Sequence, residues 1–186
     1  MNVYEKCPVL ENENFLLRFV EENDAQDLLS VYSDEKAIPL FNSDNCDGDD
    51  FHYTTAEQMK KAVDFWFYSY REKFFVRWSV VDKKTGTVVG TIELFNRRAD
   101  DHFNNCGLLR LDLRSEYEKA DIISDILGII IPPAYELFEC DMIASKAIPA
   151  ANERIAAFER YGFAHTDEKL IGHDGTAYGD YFILSK

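Results

Sequence analysis

The sequence predicts an α/β (α+β) fold in a single domain spanning residues 1–186, with a mixed, mostly antiparallel sheet of about seven strands flanked by about four helices. Three observations carry this expectation. Two β-rich runs, Phe74–Val81 and Thr87–Phe95, flank the turn Asp82-Lys83-Lys84-Thr85-Gly86, the clearest hairpin in the chain. From Leu111 to Phe163 the chain reads without a break as strand, tight turn, helix, strand, helix. Finally, 186 residues that are 46% hydrophobic and 14% aromatic can bury one full core, and no repeat, low-complexity tract or linker divides them.

In order, Phe15–Phe19 is a short apolar strand, and Glu21-Glu22-Asn23-Asp24 suits the start of a helix carrying Ala25, Leu28, Leu29 and Tyr32 at helical spacing. Phe41–Tyr53 is polar, with Asp44, Asp47, Asp49 and Asp50 around Gly48. Without EF-hand spacing or a closing glutamate, it reads as a mobile surface loop and not a calcium site. Thr54-Thr55-Ala56-Glu57 caps a helix whose Met59, Val63, Trp66, Phe67 and Tyr70 share one face, a stripe that reads as core. The hairpin follows, then the polar loop Arg97–Asn105 and a third alternating strand, Gly107–Leu113. Asp121–Phe138 is a helix expected to kink or break near Ile131, because Pro132 and Pro133 each remove a donor. Met142–Ile148 is a strand, Asn152–Tyr161 a helix stopped by Gly162, and Phe163–Leu170 and Ala177–Leu184 are closing strands.

The formal charge of −14 opposes attraction to nucleic acid or anionic lipid, and reads chiefly as a solvated surface. Cys7, Cys46, Cys106 and Cys140 are scattered without ligand spacing, so reduced core thiols are expected and neither a disulfide framework nor a metal site. The most apolar run, Ile122–Ile131, contains Ser124 and Asp125 and falls short of the ~20 residues a membrane span needs. No export signal is evident at Met1–Lys6, so a soluble, cytoplasmic protein is expected.

The order of elements, with Trp78-Ser79-Val80-Val81 leading through the hairpin to Gly90-Thr91-Ile92, and the ending Glu159-Arg160-Tyr161-Gly162-Phe163, resembles the GNAT superfamily of acyl-CoA-dependent N-acyltransferases. Within it, the likeness is to the RimJ/RimL-type ribosomal-protein and amino-acid acetyltransferases. The resemblance implies that the strand at Leu111–Leu113 and the one after the long helix splay apart around the pantetheine arm of acetyl-CoA. Main-chain groups of Leu111, Asp112 and Leu113 would then face the arm. It also implies that Lys119, Ala120, Asp121, Ile122 and Ile123 form the pyrophosphate turn, with Asn152 and Phe158 on the cofactor side.

That turn departs from the family pattern. Helix N-termini hold phosphate through free N–H groups and the helix dipole, and glycine lets the backbone approach. Here the basic or amide position falls on Glu118, the first glycine on Asp121 and the small last residue on Ile123. The turn is acidic and degenerate, and Glu118 and Asp121 could instead satisfy the helix's own N–H groups.

The implied transfer is direct attack by an amine on a thioester, which needs a base and a proton donor. The family's donor tyrosine falls on Phe158, which cannot donate, and its helix-opening asparagine falls on Ala151, one place before Asn152. Glu93 and Asp112 are therefore candidate bases by location, with Tyr117 as a replacement acid; Tyr161 and Ser115 are weaker candidates. The four histidines, His52, His102, His165 and His173, sit in expected loops or near strand ends, where they read as exposed. The expected activity is acetyl transfer from acetyl-CoA to a primary amine of a small molecule, peptide or protein N-terminus. The alternative is a catalytically inactive binding or regulatory module that does not bind CoA. The expected partners are acyl-CoA and an amine acceptor, with no nucleic acid and no membrane; a homodimer is a further candidate.

Overall fold

The structure, a computed structural model, describes residues 2–186. In chain order its strands and helices are β1 (Leu10–Glu11), β2 (Phe15–Phe19), α1 (Ala25–Tyr32), α2 (Ala56–Arg71), β3 (Val76–Asp82), β4 (Thr87–Arg97), β5 (Cys106–Leu113), α3 (Ala120–Leu137), β6 (Met142–Lys146), α4 (Asn152–Tyr161), β7 (Ala164–His165), β8 (Leu170–Ile171), β9 (Ala177–Tyr178) and β10 (Tyr181–Ser185). Eight strands form one sheet in the order β1-β2-β3-β4-β5-β6-β10-β7, and β8 with β9 forms a separate hairpin. Every pairing is antiparallel except β5 with β6. A parallel pair needs a long crossover, and α3 supplies it.

Strand alternation sends the side chains of β5 to two different layers. Leu109, Leu111 and Leu113 join Ile123, Ile126, Leu127, Ile130, Ala157 and Phe158 in the core under α3 and α4. The opposite face packs under α1 and α2, where Leu28, Val31, Tyr32, Met59, Val63 and Trp66 are buried. The start of α2 is fixed by Thr55, whose side chain accepts from the Gln58 N–H while Gln58 reaches back to the cap. Gly90 is obligatory in β4, since a Cβ there would lie 2.2 Å from the Asp112 carbonyl oxygen.

Two expectations need correction. Helix α3 runs unbroken through Pro132 and Pro133. Both prolines lie on its outer side, and the carbonyls they leave without donors belong to exposed Gly128 and to Ile129, while Ile130, Ile131 and Ala134 stay buried against the sheet. The two long closing strands are instead four short pieces. Gly179 and Asp180 part β9 from β10, and Asp180 adopts a positive φ of 64° that a strand cannot continue through.

Candidate active site

Register builds the site. On the α1/α2 face, Arg77, Glu93 and Arg110 are direct cross-strand partners on β3, β4 and β5, and Ser79, Thr91 and Asp112 form the next rung on that face. Both Glu93 oxygens are taken, one by Arg77 Nη2 and the other by Arg110 Nη1. Tyr32 of α1 reaches the second rung: its hydroxyl donates to Asp112 Oδ2 at 2.8 Å and shares a hydrogen bond with Thr91 at 2.8 Å. Arg77 Nη1 donates to Tyr32 at 2.9 Å and to Thr91 at 3.0 Å, and lies 3.3 Å from Asp112 Oδ2. The guanidinium of Arg77 also sits 4.2 Å above the Trp66 ring, a cation–π contact.

The two carboxylates are driven apart electrostatically. Burial would raise Glu93, but the guanidiniums of Arg77 and Arg110 outweigh it and hold the carboxyl below the usual range. Asp112 is raised, because its complete burial outweighs Arg77, the Tyr32 hydrogen bond and the more remote Arg154. Its Oδ1 has no protein partner. Such a pair, one carboxylate fixed as an anion and one pushed toward neutrality, is the arrangement from which acid–base roles arise.

Over the first rung lies a cavity of about 640 Å³. Arg77, Glu93 and Arg110 line its inner end, Ala62, Phe65 and Trp66 of α2 and Phe75 form a wall, and Asn45–Tyr53 cover it. The segment expected as a surface loop is anchored near both ends, while Asp47–Asp50 are exposed. Phe41, Asn42 and Phe51 are buried, Asp44 pairs with Lys146 at 2.7 Å, and the Asp44 carbonyl accepts from Arg110 at 2.9 Å. Among the described residues no cluster of three or more potential His, Cys, Asp or Glu metal ligands occurs.

Behind β5 the sheet opens. Residues Cys106–Leu109 pair with Met142–Ser145, and no β6 residue pairs with Arg110–Leu113. The Ser145 hydroxyl closes the paired stretch by donating to the Leu109 carbonyl at 2.9 Å, whereas Arg114 N–H turns to Val89 on β4 at 3.0 Å. Alternation then directs the main-chain groups of Leu111 and Leu113, like those of Leu109, toward the β6 side. Asp112 directs its main chain to β4 and its carboxylate to the α1/α2 face.

At the start of α3 the carboxylates are arranged differently from the sequence expectation. Glu118 is buried and paired with buried Arg154, and Asp121 pairs with Arg160 at 2.5 Å on the surface. The first helical N–H, that of Ala120, donates to Glu153 of α4 at 2.7 Å. One N–H of the expected anion site is thus capped, by a carboxylate of α4 and not by Glu118 or Asp121. Lys119 is the N-cap residue and supplies no side-chain cap, Ile122 is partly exposed, and Ile123 is core.

The structure thus brings Glu93 and Asp112 into one network and leaves Tyr117 outside it. The Tyr117 hydroxyl donates to Asp82 at 2.8 Å, and burial, with that bond, pushes its pKa up to about 12. Asn152 is exposed at the first turn of α4, and Phe158 is fully buried, stacked on Phe163 and tilted against Phe182. Sequence reasoning missed Arg77, Arg110, Tyr32 and Thr91. The signal was strand register: once β3, β4 and β5 are aligned, charged residues at 77, 93 and 110 fall on one rung. It also passed over His52, which lines the cavity.

A family model for the acetyltransferase (GNAT) domain matches residues 14–164. A search of curated protein sequences finds no significant match. Among solved structures, the ribosomal-protein-S5-alanine acetyltransferase from Vibrio fischeri superposes with a TM-score of 0.68 at 20% identity, covering 96% of each chain. RimJ from Mycobacterium smegmatis, in complex with CoA-disulfide, gives 0.70 at 14% identity over 96% of this chain and 85% of its own. RimL, the ribosomal L7/L12 α-N-protein acetyltransferase in complex with coenzyme A, gives 0.70 at 12% identity over 96% and 98%. Identities this low speak for a shared fold. The family-model match over residues 14–164 shows that the chain belongs to the GNAT acetyltransferase family.

Proposed function

We propose that the chain is an N-acetyltransferase that moves the acetyl group of acetyl-CoA to a primary amine held in the cavity above Arg77, Glu93 and Arg110. The observation that carries this reading is the juxtaposition at Leu109 and Arg110. There β5 leaves β6 and exposes main-chain groups on one side, while on the other its side chain enters a 640 Å³ cavity. The structures of RimJ with CoA-disulfide and RimL with coenzyme A support CoA as donor for this fold. Membership of an acetyltransferase family favours transfer over a module that does not bind CoA.

The residues fit the donor unequally. Leu111 and Leu113 offer unpaired main-chain groups suited to an amide-bearing arm, and the N–H groups of Asp121 and Ile122 remain for an anion. Glu153 occupies the N–H of Ala120 and weakens that end. When bound, acetyl-CoA supplies a thioester whose C–S bond breaks as the amine forms a C–N bond, the proton balance closing on the CoA thiol.

The side chains of the chain itself must supply a free amine. At the inner end of the cavity two guanidiniums face one ionised carboxylate, which favours the free amine there, while the exposed Asp47, Asp49 and Asp50 of the same lining attract the ammonium form. Glu93 anchors both arginines. Asp112, its carboxyl raised by burial and its Oδ1 without a protein partner, is the proton acceptor, one rung away from the groups that line the cavity. Release of CoA thiol from acetyl-CoA in the presence of an amine panel tests the reading. Turnover that Asp112→Asn abolishes while acetyl-CoA binding persists supports it; turnover unaffected by that change removes Asp112 from the mechanism.

A further inference from the structure

Arg110 is under-used by the protein. It is 7% exposed, and a guanidinium carries five N–H donors. Protein acceptors account for two of them, one at Glu93 and one at the Asp44 carbonyl, and its Nε has no partner. The Nε of Arg77 is likewise unpartnered, although Arg77 is otherwise saturated by Glu93, Tyr32, Thr91 and Asp112. A buried charged donor left unsatisfied is costly, and Arg110 lines the cavity. The rung holds two positive groups and one negative group, so an anion completes it and a lone ammonium does not.

Resting on the acetyl-transfer reading, we infer that the acceptor is a free α-amino acid, its carboxylate bound by Arg110 and its amine presented beside it. Amine and carboxylate on one carbon both reach the inner end of the cavity, next to the point where β5 and β6 part. The side chain of such a ligand then runs outward along Phe65, Trp66 and Phe75. A peptide or protein N-terminus has an uncharged amide where this ligand has its carboxylate, and cannot complete the rung. Asp47, Asp49 and Asp50 line the same cavity, but they are exposed and screened by water and salt, whereas buried Arg110 is screened much less.

The test titrates the natural α-amino acids, their carboxamides and their decarboxylated amines into the full chain by calorimetry, with and without acetyl-CoA. At least one amino acid should bind about tenfold or more tightly than both its amide and its amine, as a charged hydrogen-bonded pair implies. Arg110→Gln should bring that ratio close to one. Equal binding of acid and amide, binding of amides alone, or silence from every amino acid overturns the inference. Should Arg110→Gln fail to fold, the ratio measured on the unaltered chain decides. If acetyl-CoA itself does not bind, the transfer reading fails and with it the role of acceptor, while the acid-to-amide ratio without donor still decides whether Arg110 binds an amino-acid carboxylate.

Discussion

Replacing Glu153 by alanine should weaken the fold and strengthen CoA binding at once. The Glu153 carboxylate accepts the Ala120 N–H at 2.7 Å, so it caps the positive end of α3 from outside the helix. Losing a side-chain cap of this kind costs about 1 kcal/mol, within a range of about 0.5–2. For a chain of this size that lowers the thermal midpoint by about 2–4 °C. The same carboxylate stands where a helix N-terminus receives phosphate. At about 4 Å in bulk-water dielectric, a unit charge pair is worth about 1 kcal/mol, and Glu153 is exposed enough for that lower limit to apply. Its removal should therefore tighten acetyl-CoA binding about fivefold. Thermal melts and calorimetry on one preparation read both effects. A lower midpoint with unchanged or weaker CoA affinity refutes the idea that Glu153 competes for the anion site.

Other substitutions test the charged rungs and the sheet. Glu93→Gln leaves two buried guanidiniums without their shared anion and should cost about 3–5 kcal/mol in urea denaturation. Because Glu93 is held below the usual carboxylate range, its stabilisation is present above its ordinary value and lost as pH falls through its folded value, so acid melts of the unaltered chain should steepen there and those of Glu93→Gln should not. Asp112 has the opposite sign: its raised folded value makes it a cost as pH rises past the ordinary carboxylate value, so Asp112→Asn should fold while kcat falls on the order of 10²–10⁴-fold. Gly90→Ala places a Cβ 2.2 Å from the Asp112 carbonyl oxygen and should cost about 1–3 kcal/mol in the same denaturation assay, through strain between β4 and β5.

The elements legible in the sequence were those whose pattern is local. The Asp82–Gly86 hairpin carries its own turn chemistry, and α2 and α4 announce themselves through the Thr55 cap, the apolar stripe and the Gly162 stop, where φ is 107°. The fold class followed from their order, and the resemblance to the family from that order together with the Trp78–Ile92 hairpin and the Glu159–Phe163 ending. What escaped was decided between elements. Glu93 was chosen for its location, but its two arginine partners lie on neighbouring strands and become visible only through register. The acidic turn of α3 was read as hostile to phosphate through Glu118, yet Glu118 turns inward to Arg154, thirty-six positions away, and the cap comes from Glu153. The proline pair promised a kink or break because local sterics alone were weighed, yet the helix is continuous, with buried residues on either side of the pair.

The central claim is that the parting of β5 from β6 still admits acetyl-CoA despite the carboxylate on α3. Calorimetric titration of acetyl-CoA and of CoA into the pure chain at low salt tests it most directly. Both ligands should bind at micromolar affinity, held in part by the main-chain groups of Leu111 and Leu113. Silence at millimolar ligand contradicts it and leaves a GNAT fold serving as a binding module.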